Sequence, residues 1–294
     1  MALKPTSSAS TVVPWCDFHG QPAVRLVASW GDCVTVLQQG GQVVSWMTAD
    51  GREQLYLSPQ ARWNGQDAIR GGVPICFPQF NQRGPLIKHG FARHLPWQCV
   101  SVNESQISFV LADGALTRRL WPHAFRVELA VELSPGALRL QLQVQNTDTQ
   151  PWAFTAALHT YVQVPDVVQV HLMGLHGAQR WDAVRDVHGI QEGAARFGQE
   201  FDCVFQSQPE QVLRLLMDGA PSDAPRSLLD ITQSVSCPQT VVWNPGPRLG
   251  ARLNDMPDDG WRHMLCIEAA CIDAPVTLAP TQRWQAWQTL RCRA

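Results

Sequence analysis

Two neighbouring segments constrain the fold more than any other feature of this chain. From Phe125 to Leu133 it reads FRVELAVEL, so that Phe125, Val127, Leu129, Val131 and Leu133 alternate with Arg126, Glu128, Ala130 and Glu132. After the turn residues SPGA the pattern resumes in LRLQLQVQN, where Leu138, Leu140, Leu142 and Val144 alternate with Arg139, Gln141, Gln143 and Gln145. A side-chain period of two places one set on each face of a strand, so each segment predicts a half-buried strand. A Pro-Gly turn between two such runs predicts an antiparallel hairpin.

Similar short segments recur on both sides of it: AVRLVASW, CVTVLQQG, QVVSWMT, QISFVLAD, QVHLMGL, TVVWNPG, HMLCIEAACI and RWQAWQTLR, each bounded by Gly, Pro, Asn or Asp. Sustained helical periodicity is almost absent. This pattern predicts a large antiparallel sandwich and disfavours alternating strand-helix units. PEQVLRLLMDG fits a short helix and a strand equally well. No Pro/Ser-rich linker follows the first fifteen residues, so one continuous domain is expected.

Charge and composition exclude several classes. A net charge of −2 and a pI near 6.5 provide no field suited to nucleic acid or to an anionic membrane, and neither is expected as a partner. No apolar run reaches the ~20 residues that cross a bilayer, and MALKPTSSASTVVPW lacks the apolar segment of a secretory signal. A cytoplasmic location is expected. The nine cysteines agree, being odd in number and without C-x-x-C spacing, unlike a disulfide framework. Cys76, Cys266 and Cys271 lie in apolar runs and read as small buried hydrophobes with no base beside them. His89 with His94 and His171 with His176 bring no further ligand at metal spacing, so no metal is expected.

One segment breaks the strand pattern. Between Arg70 and Arg93, RGGVPICFPQFNQRGPLIKHGFAR combines Arg70, Arg83, Lys88, His89 and Arg93 with several glycines and prolines around an apolar Ile-Cys-Phe centre. Gly and Pro at this density indicate a loop, and the apolar centre indicates that it is packed. Loops held rigidly on a scaffold are where binding groups concentrate. Twelve tryptophans could fill the core or offer platforms to the C–H faces of a sugar, and Trp63, Trp97 and Trp243 lie nearest the loop motifs.

Taken in order, RGGVPICFPQF, KHGFAR, ALHTYVQV and VVWNPG with NDMPDDGWRHMLCIEAA resemble the aldose 1-epimerase superfamily, and within it the hexose-6-phosphate branch, from about Ala23 to Arg291. The resemblance implies an all-β fold, the galactose-mutarotase-like β-supersandwich of antiparallel strands. It implies one domain over residues 23–294, preceded by a partly ordered N-terminal extension over 1–22. The implied activity is cofactor-independent interconversion of the α and β anomers of a hexose 6-phosphate by a monomer; the alternative is a sugar-phosphate-binding protein that does not catalyse.

The resemblance also implies roles. His159 is expected to be the general acid toward the ring oxygen O5 and Glu268 the general base toward the C1 hydroxyl. Taken alone, His159 could be a hydrogen-bonded core histidine and Glu268 half of a buried ion pair. Arg70, Lys88 and Arg93 match substrate-binding positions and are expected to clasp the phosphate, since arginine grips two phosphate oxygens and lysine adds a point charge. The same cations could face solvent or pair with acids, which is the expectation for Arg83. His89 is expected to orient substrate or support the loop. Asp202 is expected to accept hydrogen bonds from sugar hydroxyls, although Phe201 and Cys203 depart from the family's usual neighbours. Asp255, Asp258 and Asp259 read as turn residues.

Overall fold

A computed structural model describes residues 14–208, 210–219 and 226–293. Its strands form antiparallel sheets of four, eight and nine strands. The hairpin expected from the alternation lies within the largest sheet, Phe125–Ser134 pairing with Ala137–Asn146 along its whole length. Val127, Leu129 and Val131 are fully buried, as are Leu138 and Leu140 across from them, whereas Glu132 is exposed. Burying a Val or Leu side chain stabilises by about 1.5–3 kcal/mol relative to exposure. One face of the hairpin therefore ties the sheet to the core.

Arg283–Cys292 extends this sheet on one side and Gln106–Ala112 on the other. The ambiguous PEQVLRLLMDG segment yields a strand, Leu213–Met217, because neighbours on both sides, Val170–Met173 and Arg226–Gln233, pair with it. Sheet pairing of this kind overrides weak local preference. Near the N-terminus, Trp15–Phe18 pairs with Gln21–Val27 in the four-stranded sheet. Residues 1–13 of the expected extension lie outside the described residues.

The eight-stranded sheet matters most for function. Met264–Leu278 runs through it, with Gln239–Asn244 on one side and the collinear pieces Trp152–Leu158 and Tyr161–Gln163 on the other. Phe201–Gln206 follows Gln239–Asn244, and the hairpin of Gln179–Asp182 and Val187–Ile190 completes the edge. The main core draws on all three sheets, joining Val34 and Trp46 to Leu129, Leu140, Phe205 and Cys266. A smaller cluster contains Cys76, Ala157, Val204, Val241, Ala270 and Ile272. Ala270 and Ile272 are two and four residues beyond Glu268, so they project from the same face of the strand as that carboxyl. Among the described residues, no helix is long and apolar enough to cross a membrane.

Candidate active site

Sheet register assembles the floor of the site. Leu158 pairs with Ala269 and Tyr161 with Cys266, and continuing that register places His159 opposite Glu268. On the far side, Val241 pairs with Glu268 and Trp243 with Cys266, while Val204 pairs with Val241 and Asp202 with Trp243. Two adjacent rows result, His159–Glu268–Val241–Val204 and Tyr161–Cys266–Trp243–Asp202. Within each strand the members of the two rows are two residues apart, so all share a face. Directly opposed residues bring their Cβ atoms to about 4.5–5.5 Å, and here His159 Nδ1 lies 3.3 Å from Glu268 Oε1. The contact has ion-pair distance without hydrogen-bond alignment, since Nδ1 makes no hydrogen bond, nor does Glu268 Oε2. Aromatic rings fix the imidazole: it stacks on Tyr161 at 4.9 Å and meets His89 edge-on at 5.3 Å.

The charged loop closes over this floor because its backbone is stitched to the sheet. Ile75–Cys76 pairs with Ala157 and Leu158, and the Pro74 and Gly72 carbonyls accept from the amides of His159 and Tyr161. Gly72 has φ of +61° and a Cβ there would sit 2.1 Å from the Val43 carbonyl oxygen; at Gly90, φ is +71° and the clash would be 2.2 Å from that of Phe77. Only glycine tolerates both the conformation and the approach.

Together floor and loop enclose a cavity of about 400 Å³, lined by Arg70, Lys88, Arg93, His159, Asp202 and Glu268. The three cations differ. Arg70 is held by Asp255, with Nε 3.2 Å from each carboxylate oxygen, and donates to the Tyr161 hydroxyl at 3.1 Å. Arg93 donates to the Lys88 carbonyl at 2.8 Å. Neither Arg93 nor Lys88 belongs to an ion pair among the described residues. Both line the cavity.

Burial sets the protonation of the floor. It pushes the Glu268 carboxyl well above the ordinary carboxylate range, with Asp202 adding to the shift. Burial likewise pushes His159 well below the usual imidazole range, helped by the nearby His89 and Arg93. Asp202 is raised to about 6, again chiefly by burial. His89 is lowered to about 2 by burial and by Arg93 and Lys88, so it stays neutral. Its Nδ1 accepts from the Asn81 amide at 3.3 Å and lies 3.2 Å from Cys76 Sγ. An acceptor at Nδ1 leaves the proton on Nε2.

A family model described as aldose 1-epimerase matches residues 23–291. The chain belongs to the aldose 1-epimerase family. It is therefore an isomerase, one that interconverts sugar anomers. A provisionally named glucose-6-phosphate 1-epimerase from Cenchrus ciliaris is 34% identical over 267 residues, covering 86% of this chain and 79% of the relative. A protein of the same provisional name from Escherichia coli is 32% identical over 241 residues, covering 79% of this chain and 77% of the relative. The crystal structure of a provisionally named mutarotase from Salmonella typhimurium superposes with a TM-score of 0.81 at 26% identity, covering 95% and 93% of the two chains. The galactose-mutarotase-like fold class follows for this epimerase.

Several residues of the epimerase depart from their sequence-based expectations. Asp255, expected to serve only a turn, lines the cavity and holds Arg70; the loop reading was right for its backbone and silent about its side chain. Cys76, expected to have no base nearby, contacts the His89 imidazole. Burial raises its thiol, so it meets that ring as S–H. Trp243 lines the cavity, whereas Trp97 is core and Trp63 stacks on His19. Tyr161 carries no motif of its own, yet its position two residues beyond His159 on a strand is a usable signal. Arg83 is exposed and pairs with Asp273, as expected for a surface residue.

Proposed function

We propose that this epimerase acts on a hexose 6-phosphate, glucose 6-phosphate first among them, with His159 serving O5 and Glu268 the C1 hydroxyl. The observation that carries the reading is the 3.3 Å approach of these two groups on the floor of a cavity walled by Lys88 and Arg93. Ring opening delivers one proton to O5 and removes one from the C1 hydroxyl. Both oxygens are bonded to C1, so the two groups that serve them must be neighbours, as cross-strand partners are. The free aldehyde then turns about C1–C2, and closure with the roles reversed gives the other anomer. Each positioned group typically contributes about 10²–10⁴-fold.

The electrostatics suit a reaction that runs in both directions. In water an imidazole holds its proton more tightly than a carboxylate does. Burial lowers His159 and raises Glu268, and both shifts oppose that bias. Lys88 and Arg93 are uncompensated cations that fit the −1.5 to −2 charge of a phosphate monoester. Arg70, neutralised by Asp255, is assigned to sugar hydroxyls, as are Asp202 and the His89 Nε2–H. The names of the Cenchrus ciliaris and Escherichia coli relatives support the same substrate. A sugar-phosphate binder without catalysis would need the cations and not the His159–Glu268 contact. The core, which joins residues from Val24 to Leu290, supports one domain over 23–294. One chain supplies the whole site, so a monomer suffices, and nine free cysteines fit a cytoplasmic setting.

NMR magnetisation exchange between α- and β-glucose 6-phosphate tests the proposal. The protein should accelerate exchange strongly, and free glucose far less. Unchanged exchange of the phosphorylated sugar would refute it; equal acceleration of both would refute the phosphate assignment alone.

A further inference from the structure

Cys266 shares the floor row of Tyr161 and Trp243 but is wholly buried and does not line the cavity. Its Sγ, one ring nitrogen of His159 and a carboxylate oxygen of Glu268 lie within 4.8 Å of one another, the one such trio among the described residues. Two donor atoms here lack partners, His159 Nδ1 and Glu268 Oε2, on residues only 7% and 1% exposed. Leaving buried polar atoms unpaired is unfavourable, so a ligand that bonds the imidazole nitrogen and the carboxylate is favoured.

The geometry suits a tetrahedral cation. With metal–N and metal–O bonds of about 2.0–2.1 Å, two ligand atoms of a tetrahedron stand about 3.3–3.4 Å apart. His159 Nδ1 and Glu268 Oε1 are 3.3 Å apart. The Cys266 sulfur lies within 4.8 Å of both other ligand atoms, and a zinc–thiolate bond is about 2.3 Å long. Imidazole, thiolate and carboxylate are each ligand types that Zn²⁺ takes. The two anions also neutralise the ion, and of the cavity cations Arg70 is paired with Asp255. His159 and Glu268 line the cavity, so the fourth position opens into it.

We propose that His159, Cys266 and Glu268 form an inhibitory Zn²⁺ site, in which the ion occupies the two groups that transfer protons during epimerisation. Binding converts the thiol and the carboxylic acid to anions and releases their protons to solvent, while the ion sheds its displaced waters. The binding stands on geometry alone; the inhibition rests on the roles proposed above for His159 and Glu268.

Cobalt is the probe that separates the two. Titrating the purified chain with Co²⁺ should produce visible bands of a tetrahedral ion and a near-ultraviolet thiolate-to-cobalt charge-transfer band, complete at one equivalent and bleached by Zn²⁺. C266S should lose the charge-transfer band and weaken Zn²⁺ binding by roughly 100-fold or more, above what loss of an outer hydrogen-bond partner costs a zinc site. It should keep its metal-free exchange rate and resist Zn²⁺ concentrations that stop the wild type; C266A provides the same comparison if the serine disturbs folding. Absence of the band, or its survival in both variants, overturns the site. A Cys266-dependent band with undiminished exchange overturns the inhibition and the proton-transfer assignments, while metal binding without any epimerase activity removes the proposed function and leaves the site standing.

Discussion

Arg93→Ala separates recognition of the phosphate from the chemistry at C1. The guanidinium donates to the Lys88 carbonyl at 2.8 Å and meets no carboxylate among the described ion pairs, so truncating it orphans no acid. Arg70→Ala would instead strip Asp255 of a partner held at 3.2 Å through both oxygens. The loss seen in Arg93→Ala therefore measures what the residue gives the substrate. A hydrogen bond to a charged group contributes about 1.5–3 kcal/mol, and a forked grip on phosphate sits toward the upper end. At about 1.4 kcal/mol per tenfold, kcat/KM for glucose 6-phosphate should fall about 10–150-fold. Most of the change should appear in KM, because the phosphate takes no part in proton transfer. Exchange of free glucose should be unaffected. The assay is magnetisation exchange over a range of concentrations of each sugar, with wild type and variant in parallel. An equal loss for both sugars would refute the reasoning, since Arg93 would then support the loop or the His159–Glu268 pair. Arg70→Ala is the internal comparison and should impair both sugars and lower stability.

His159→Asn and Glu268→Gln should each lower kcat by about 10²–10⁴-fold, and the double variant should be little worse than either single one, because the two groups act as a unit; exchange rates at saturating substrate check this. Asp202→Asn should weaken substrate binding yet stabilise the fold at pH 7. Its carboxyl, raised to about 6, holds a proton in the folded state that the unfolded chain has released, so stability falls as pH rises from about 4 to 6. Removing that ionisation should return about 1–3 kcal/mol in urea unfolding at pH 7. His89 titrates in the opposite sense. Lowered to about 2, it stays neutral when folded and charges when unfolded, so stability falls as pH drops below about 6.5. His89→Asn tolerates the positive φ of 67° at this position, and its stability loss between pH 6.5 and 5.5 should be smaller than that of wild type by about 1 kcal/mol.

What the sequence discloses about such a site follows from the distance over which each interaction acts. Alternation in FRVELAVEL is legible because a strand's two faces are set within the strand itself. Val187–Ile190 is exposed along its length at a sheet edge, so it lacks the alternation that would mark it. The same distinction runs through the active site. A step of two residues joins Tyr161 to His159 and Cys266 to Glu268, and both steps can be read directly from the chain. Asp255 reaches Arg70 across 185 residues, and no local pattern distinguishes that carboxylate from its turn neighbours Asp258 and Asp259. Cys76 and His89 are 13 residues apart, yet they meet only because the intervening loop doubles back. His159 and Glu268 belong to both categories. The family resemblance points to them as the proposed proton-transfer pair, but only register brings them together. A slip of one residue between Trp152–Leu158 and Met264–Leu278 would send one of them to the opposite face of the sheet. The strand register fixed by the pairing of Leu158 with Ala269 is thus as necessary to the proposed site as the two side chains it aligns.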